Sequence, residues 1–519
     1  MTVTTQIERT GDEQERALQM NPLQRESAPI RIAVCQSGSL GQVQVMRLMH
    51  PNIDVIHVAG FLRHEMSDCE VRIIDGYATG FAAALEELSL YAPDVVFLHG
   101  DTPTATFSYA LADALAALDA RPRVIAIFGE HVSALTHEAF ERSACDLVML
   151  GDAEPVALAV CEQARQGQPD FGTVENLIYR GEAGQVIPTR RTNAAVDLDT
   201  LPPAARDLID LPSYPGTFYK LSDRETSVLA ARGCPWRCSY CGPAWHRALD
   251  KPRLRYRSAA SLVDELERVQ RDHGIDDFMI DITTFNFSKR WAQSVSEEII
   301  GRGLKVNLKT HLRADRVDPE TLRLMRAAGF WMIYLGIESA NDRSLAGVTK
   351  QITMKQVEDA LVEIRKADIL VVAELMNLLF WEEDGALHHE GLREALSTLR
   401  FARRMHHRGL IHAMYWTAMT PIPASESYAV ALRHNLIPPE VQGAWHLWFP
   451  IQRPIARLPG VPTWKWFLIQ WIGKAQQTYF MLNSRALHPS LVGLVLHRAV
   501  QFVKATGGSV VGRAAPDGA

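Results

Sequence analysis

The sequence predicts an α/β protein in three parts: a doubly wound, Rossmann/flavodoxin-like parallel sheet, a partial (β/α)6 barrel, and a small, mainly helical C-terminal cap. Three observations carry this expectation. Five short apolar runs alternate with helical stretches between residues 31 and 150, six more alternate between 227 and 419, and beyond about residue 430 the alternation stops. With 519 residues the chain is too long for one core. The expected division is a disordered N-terminal tail at 1–29, a first domain at 30–165, a linker at 166–222, a second domain at 223–430 and the cap at 431–519.

Residues 1 to 29 are polar and lack periodicity, which is the basis for calling them a tail. Strands follow at Arg31 to Gln36, Val71 to Asp75, Val95 to His99, Val124 to Phe128 and Leu147 to Leu150. Each runs at once into glycine or a small polar turn: Ser37-Gly-Ser39, Gly76, Gly100-Asp-Thr102, Gly129-Glu-His131 and Gly151-Asp152. Glycine ends many strands for local reasons, but five such turns in register point to a ligand edge, because open α/β sheets bind at the carboxyl ends of their strands. Leu201-Pro-Pro203 and Leu211-Pro-Ser-Tyr-Pro215 argue for little regular structure in the linker.

The second series places strands at Ser227 to Ala231, Asp277 to Asp281, Val306 to Thr310, Met332 to Ile337, Val371 to Leu379 and His412 to Met419. Helix starts are legible between them. Asp318-Pro319-Glu320 puts a cap before a first-turn proline, and Thr353 with Gln356 makes a capping box. Six strands with five helices are too few for a closed eight-fold barrel. Beyond residue 430, Trp445, Trp448, Trp464, Trp466 and Trp471 are expected to pack the cap or to line a pocket.

The chemistry concentrates in Arg232-Gly-Cys-Pro-Trp-Arg-Cys-Ser-Tyr-Cys-Gly242, where Cys234, Cys238 and Cys241 form a C-x3-C-x2-C triplet. With seven cysteines in the chain, chance would produce this in roughly one such sequence in a thousand. Three thiolates hold three corners of a [4Fe–4S] cluster and leave the fourth iron open. The structural alternative is zinc with His246 as fourth ligand, though zinc sites usually carry two spaced pairs. Cys35, Cys69, Cys145 and Cys161 are scattered singly, so a disulfide framework is not expected. A net charge of -6 gives no electrostatic reason to expect nucleic acid or an anionic membrane as partner. No apolar run reaches transmembrane length and the polar start lacks a signal core, so the expected location is the cytoplasm.

At the triplet, with Tyr240 before its last cysteine, the chain resembles the radical S-adenosylmethionine (SAM) superfamily. The resemblance implies a [4Fe–4S] cluster, SAM on the open iron and an external one-electron reductant of flavodoxin or ferredoxin type. Tyr240, Asp281 in Asp281-Ile-Thr-Thr-Phe-Asn286, Arg313 in His311-Leu-Arg-Ala-Asp315 and Glu338 in Leu335-Gly-Ile-Glu-Ser339 match family segments and are the SAM-contact candidates. For Arg313 the competing role is a bridge to Asp315 or Glu338. The first series is similar to the cobalamin-binding domain that precedes the barrel in one branch, through Val58-Ala-Gly-Phe-Leu-Arg63, Val71-Arg-Ile-Ile-Asp75, Pro93-Asp-Val-Val96 and Gly151-Asp-Ala-Glu154. That similarity makes Gly76, Gly100, Thr102, Gly129, His131 and Gly151 cobalamin-contact candidates. Phe128-Gly-Glu-His131 departs from the usual Gly-Gly-Pro-His turn, and Asn377-Leu-Leu-Phe-Trp-Glu-Glu383 stands where the family has Leu-Gly-Leu-Pro-Gly-Glu. His57 in Asp54-Val-Ile-His57 is expected to be structural rather than a cobalt ligand. The branch implies methylation of an unactivated carbon of a small metabolite or natural-product intermediate. Cyclisation or rearrangement, or a non-catalytic cobalamin- or metal-binding regulator, are the alternatives.

Overall fold

Two parallel sheets form, one from each strand series, in the computed structural model, which describes residues 29–38, 49–193, 195–242, 254–448 and 454–484. Nearly all of the expected tail, His246 and the last part of the expected cap lie outside the described residues. The chain divides into two units. One contains the first sheet and the segments Pro51–Val196 and Leu201–Ser213; the other contains Asp197–Thr200, His50 and the described residues from Tyr214 on.

In the first unit, β1 (Ile30–Gln36), β2 (Cys69–Asp75), β3 (Val95–His99), β4 (Val124–Phe128) and β5 (Leu147–Met149) lie parallel in the order 2-1-3-4-5. The strands β3 and β4 are buried along their whole length, as strands covered on both faces must be, and their uninterrupted Val/Ile/Phe runs reflect this. The helix Ile53–Glu65 follows β1, capped by Asn52, whose side chain accepts from the backbone N–H of Asp54 and Val55. Val55, Val58, Ala59 and Leu62 from that helix pack with Ile32, Val34, Val95 and Phe97 into the core of this unit.

The expected linker at 166–222 is corrected here. Its stretch Leu177–Arg180 (β6) pairs antiparallel with β5, and Val186–Pro188 (β7) pairs antiparallel with β6, so the sheet has seven strands. Val174 and Leu177 join the core, which is the force that draws this hairpin in. The prolines that argued for a linker lie beyond it.

The second unit is built on six parallel strands in the order 17-14-13-12-11-8: β8 (Glu225–Leu229), β11 (Asp277–Asp281), β12 (Asn307–Leu312), β13 (Phe330–Glu338), β14 (Leu370–Asn377) and β17 (Ala413–Ala418). The connecting helices begin as the sequence indicated. Asp318 caps Pro319–Ala327 by accepting from Thr321, and Thr353 and Gln356 form a reciprocal box. A short antiparallel pair, β9 (Ala231–Gly233) and β10 (Leu254–Tyr256), follows β8. A hairpin of β15 (Phe380–Glu383) and β16 (Ala386–His389) grows from the end of β14.

At the amino ends of these strands Lys309 is fully buried, with its Nζ 2.8 Å from Glu225 and 3.4 Å from Asp277. It also donates to Thr217 and to the Tyr219 carbonyl. Burial alone would raise the Glu225 carboxyl, but the Lys309 charge and His50, 2.9 Å away, outweigh it and hold it at about 2. Beneath the expected cap the helix Thr463–Leu482 packs on β17, with Gly473 against the Trp416 ring, so this segment belongs to the second unit. Trp445, Trp448 and Trp466 are buried, while Trp464 and Trp471 are exposed.

Candidate active site

The cysteine segment leaves the sheet at the carboxyl end of β8, the end at which barrel-like α/β folds do chemistry. Its backbone is fixed from three sides. Thr283 donates to the Gly233 carbonyl (3.0 Å), the Ser239 N–H donates to the Val348 carbonyl (3.0 Å), and the Ser427 N–H donates to the Ser239 carbonyl (2.9 Å). Cys234, Cys238 and Cys241 are all free thiols. Burial, and then the charges of Cys238 and Cys234, push the Cys241 thiol up to about 12, so its thiolate form needs a strong positive centre beside it. An iron–sulfur cluster supplies such a centre. Three cysteines in C-x3-C-x2-C spacing match three corners of such a cluster and leave its fourth iron open. The donor set therefore fits a cluster.

Arg313 follows β12. Its N–H donates to Asn286 Oδ1 and its carbonyl accepts from Asn286 Nδ2, both at 3.0 Å, which fixes the strand end. Its guanidinium donates to Asp315 (3.0 Å) and to the Lys350 carbonyl (2.7 Å), and lies 4.6 Å over the Trp236 ring. Nη1 points to Cys238 Sγ at 3.9 Å. The bridge to Asp315 thus coexists with a position against the cysteines, and no bridge to Glu338 forms.

Glu338 closes β13 in the left-handed region, at φ 66°, where the register against β14 shifts between Gly336 and Glu338. A bulge of this kind re-aims a side chain, and a non-glycine residue held there stores strain of order 1–3 kcal/mol. The re-aimed carboxylate accepts from Lys350 Nζ at 2.7 Å, and both residues are buried. Lys350 itself sits between two further left-handed residues, Thr349 and Gln351. Burial would lower its ammonium, but Glu338 and Cys238 outweigh burial and hold it above its ordinary value. The Tyr240 hydroxyl bonds to Cys238, and burial, then the Glu338 charge, keep it protonated.

One face of the sheet extends this site inward. Past the first residues of β12 and β14, the half-buried or exposed positions along β11, β12, β14 and β17 are Met279 and Asp281, His311, Glu374 and Met376, and Tyr415 and Thr417, while their neighbours are buried. His311 Nε2 lies 3.3 Å from Glu374 Oε1. Burial would lower the His311 imidazole, but the Glu374 carboxylate beside it holds it above its ordinary value, and Asp281 adds to this. Asp281 is therefore at the same strand-end edge as Glu338, with an exposed side chain.

The first unit places its candidates at the carboxyl edge of its sheet, but largely uses them itself. His131 is buried and bonds through Nδ1 to Thr102 (3.2 Å) and through Nε2 to Glu138 (3.2 Å). A Cβ on Gly129 would lie 2.7 Å from the Gly100 carbonyl oxygen, and one on Gly76 2.8 Å from the Phe107 ring. Such close approaches require glycine at both positions. Gly151, at φ 78°, makes the turn after β5. His57 is buried in its helix.

Residues 228–388 match the radical SAM superfamily model. This stretch is a radical SAM domain. Radical SAM domains hold a [4Fe–4S] cluster and SAM, and the cysteine triplet lies inside the matched stretch. An uncharacterized methyltransferase of Pyrococcus horikoshii is 23% identical over 390 residues, 75% of this chain and 80% of that protein. The anaerobic magnesium-protoporphyrin IX monomethyl ester cyclase of Cereibacter sphaeroides is 25% identical over 300 residues, covering 56% of this chain but only 47% of the cyclase. Among solved structures, the cobalamin-dependent SAM radical enzyme OxsB, with aqua-cobalamin and SAM bound, aligns at a TM-score of 0.66 and 15% identity over 92% of this chain and 72% of its own. The methyltransferase TsrM of Kitasatospora setae, with cobalamin and a [4Fe–4S] cluster, aligns at 0.59 and 17% over 79% of each. The chain thus shares the fold of these two cobalamin-bound enzymes.

Lys350, His311 and Glu374 were not singled out from the sequence. Glu374 carries a signal that was available, being a charged residue inside an otherwise apolar stretch of parallel strand, whereas His311 stands in the mixed strand Asn307–Leu312 and carries less. Lys350 carries none, because a loop conformation brings it to Glu338. The bulky Phe380 and Trp381, which replace the family's glycine-containing segment, turn away into the β15–β16 hairpin, where the Trp381 ring covers Gly347.

Proposed function

We propose that this chain is a cobalamin-dependent radical SAM methyltransferase acting on a carbon of a small molecule. The observation that carries the reading is the convergence of Tyr240, Arg313 and Lys350 with its partner Glu338 on Cys238, at the carboxyl end of a parallel sheet. When bound, the cluster with SAM supplies a 5′-deoxyadenosyl radical, and methylcobalamin supplies a methyl group for a carbon with no lone pair to offer.

The chain's own residues have definable tasks. Cys234, Cys238 and Cys241 hold the cluster. Arg313 and Lys350 bring two positive charges to the cluster edge and offset its thiolates, and Glu338, aimed by its bulge, offers a carboxylate oxygen to the polar groups of SAM. Asp281 stands at the same edge. Met279, Met376 and Tyr415 give the inner face an apolar lining, with the His311–Glu374 pair as its polar element, which suits a mainly apolar molecule carrying one hydrogen-bonding group. Cobalamin, which both solved structures of similar fold carry, is assigned to the carboxyl edge of the first unit because open α/β sheets bind ligands there. Thr102 and His131 then shape that edge, and the turns at Gly76, Gly100, Gly129 and Gly151 form its backbone.

Cyclisation is the second reading, favoured by the similarity to the anaerobic cyclases. Both readings share the cofactors and differ in the fate of the substrate radical. The test is anaerobic reconstitution with hydroxocobalamin, followed by gel filtration and incubation with methyl-labelled SAM and reductant. Retained corrinoid that acquires label supports methyl transfer. Retained corrinoid that never acquires label supports the cyclase reading, and loss of corrinoid on filtration contradicts both.

A further inference from the structure

We propose that the outward face of the helix Thr463–Leu482 is a docking surface for an anionic phospholipid bilayer, on which the protein lies without crossing it. The helix is apolar on two opposite sides. Trp466, Ile469, Gly473 and Phe480 are buried on one side. On the other, Trp464, Leu468, Trp471, Tyr479 and Leu482 are all exposed, Trp464 by 62% and Trp471 by 53%. Their spacing of four, three, eight and three residues, with Ala475 filling the long step, draws one straight stripe down the helix. With a rise of 1.5 Å per residue, that stripe is about 27 Å long. Single exposed apolar residues need no explanation, but a continuous row of two tryptophans, a tyrosine and two leucines marks an interaction surface.

Charge selects the partner. Between Glu440 and Asp517 the sequence contains no acidic residue at all, while residues from 451 to the last carry eight lysines and arginines. At the chain's own acidic frequency a gap of that length arises somewhere in about one such chain in two hundred. The overall charge of -6 conceals this basic region, so the whole-chain balance, from which no membrane was expected, is the wrong scale for the question. Lys465 lies beside the stripe, with its Nζ 5.7 Å from the Trp464 ring. A second copy of the stripe would set Lys465 against Lys465, and a neutral apolar partner would leave that ammonium and the acid-free sequence around it unused. Tryptophan and tyrosine with flanking lysine and arginine are the composition that settles at the boundary of lipid headgroups and acyl chains. No helix among the described residues is long and apolar enough to cross a membrane, which agrees with a peripheral contact.

The experiment is vesicle flotation of the full-length, cluster-loaded protein with phosphatidylcholine alone and with added phosphatidylglycerol, each at low and high salt. The expected result is partition onto the phosphatidylglycerol vesicles that salt weakens. It should fall about tenfold or more in a Trp464→Ser, Trp471→Ser, Tyr479→Ser variant and persist when the same positions become Phe. Because a serine variant that misfolds would also fail to float, the wild-type protein is read independently by its tryptophan emission, which should shift to the blue on anionic vesicles and be quenched by brominated lipid. Absence of partition and of the blue shift overturns the proposal, as does equal binding to neutral vesicles regardless of salt. A stripe-dependent dimer that forms without lipid and ignores vesicles also overturns it.

Discussion

Cys238 is the residue around which the site is organised. Arg313 reaches its sulfur with one guanidinium nitrogen while Asp315, the Lys350 carbonyl and the Trp236 ring hold the rest of the group. A lysine has neither the fork nor the flat face for those contacts. Arg313→Lys should keep the iron yet lower SAM cleavage by about 10- to 100-fold, as measured by 5′-deoxyadenosine release. Unchanged cleavage would reduce Arg313 to a scaffold. The His311–Glu374 pair makes a pH prediction. A raised imidazole contributes stability fully below its ordinary 6.5 and loses it as pH rises through the folded value; a lowered carboxylate contributes above 4.5 and loses it as pH falls through its own. The pair therefore stabilises most between those values. The melting-temperature gap between the wild type and His311→Gln should narrow as pH is raised from about 6 to about 9. At this scale the three cysteines were legible because their spacing is itself the chemistry. Lys350 was not, because it reaches Glu338 through two left-handed residues that no local rule selects.

Strands were the most legible elements. Every one of the eleven expected apolar runs is a strand, because buried parallel strands need unbroken apolar sequence and little else. The β6–β7 hairpin was missed because its two short strands are only partly buried and the nearby prolines dominated the reading. The element most dependent on one side chain is the amino end of the second sheet, where Lys309 is shared by Glu225 on β8 and Asp277 on β11. Lys309→Met fills the space but leaves two buried carboxylates without their cation. It should cost about 3–5 kcal/mol in chemical denaturation at neutral pH. A loss below about 1 kcal/mol would mean that the carboxylates are satisfied without it.

At the scale of the whole molecule, fold and chemistry divide differently between sequence and structure. The two alternating series and the place of the triplet after the first strand of the second were readable from period and spacing. The contacts of the first-unit glycines were not, since only coordinates show that Gly129 lies against the Gly100 carbonyl. The central claim is that Cys234, Cys238 and Cys241 hold a [4Fe–4S] cluster that cleaves SAM. Iron and sulfide analysis of anaerobically reconstituted wild-type protein and of the Cys234→Ala, Cys238→Ala, Cys241→Ala variant, with 5′-deoxyadenosine measured after SAM and dithionite, tests it most directly. About four irons and four sulfides per chain with 5′-deoxyadenosine formed are expected of the wild type, and neither of the variant. Zinc in place of iron, or equal iron in the variant, would contradict it.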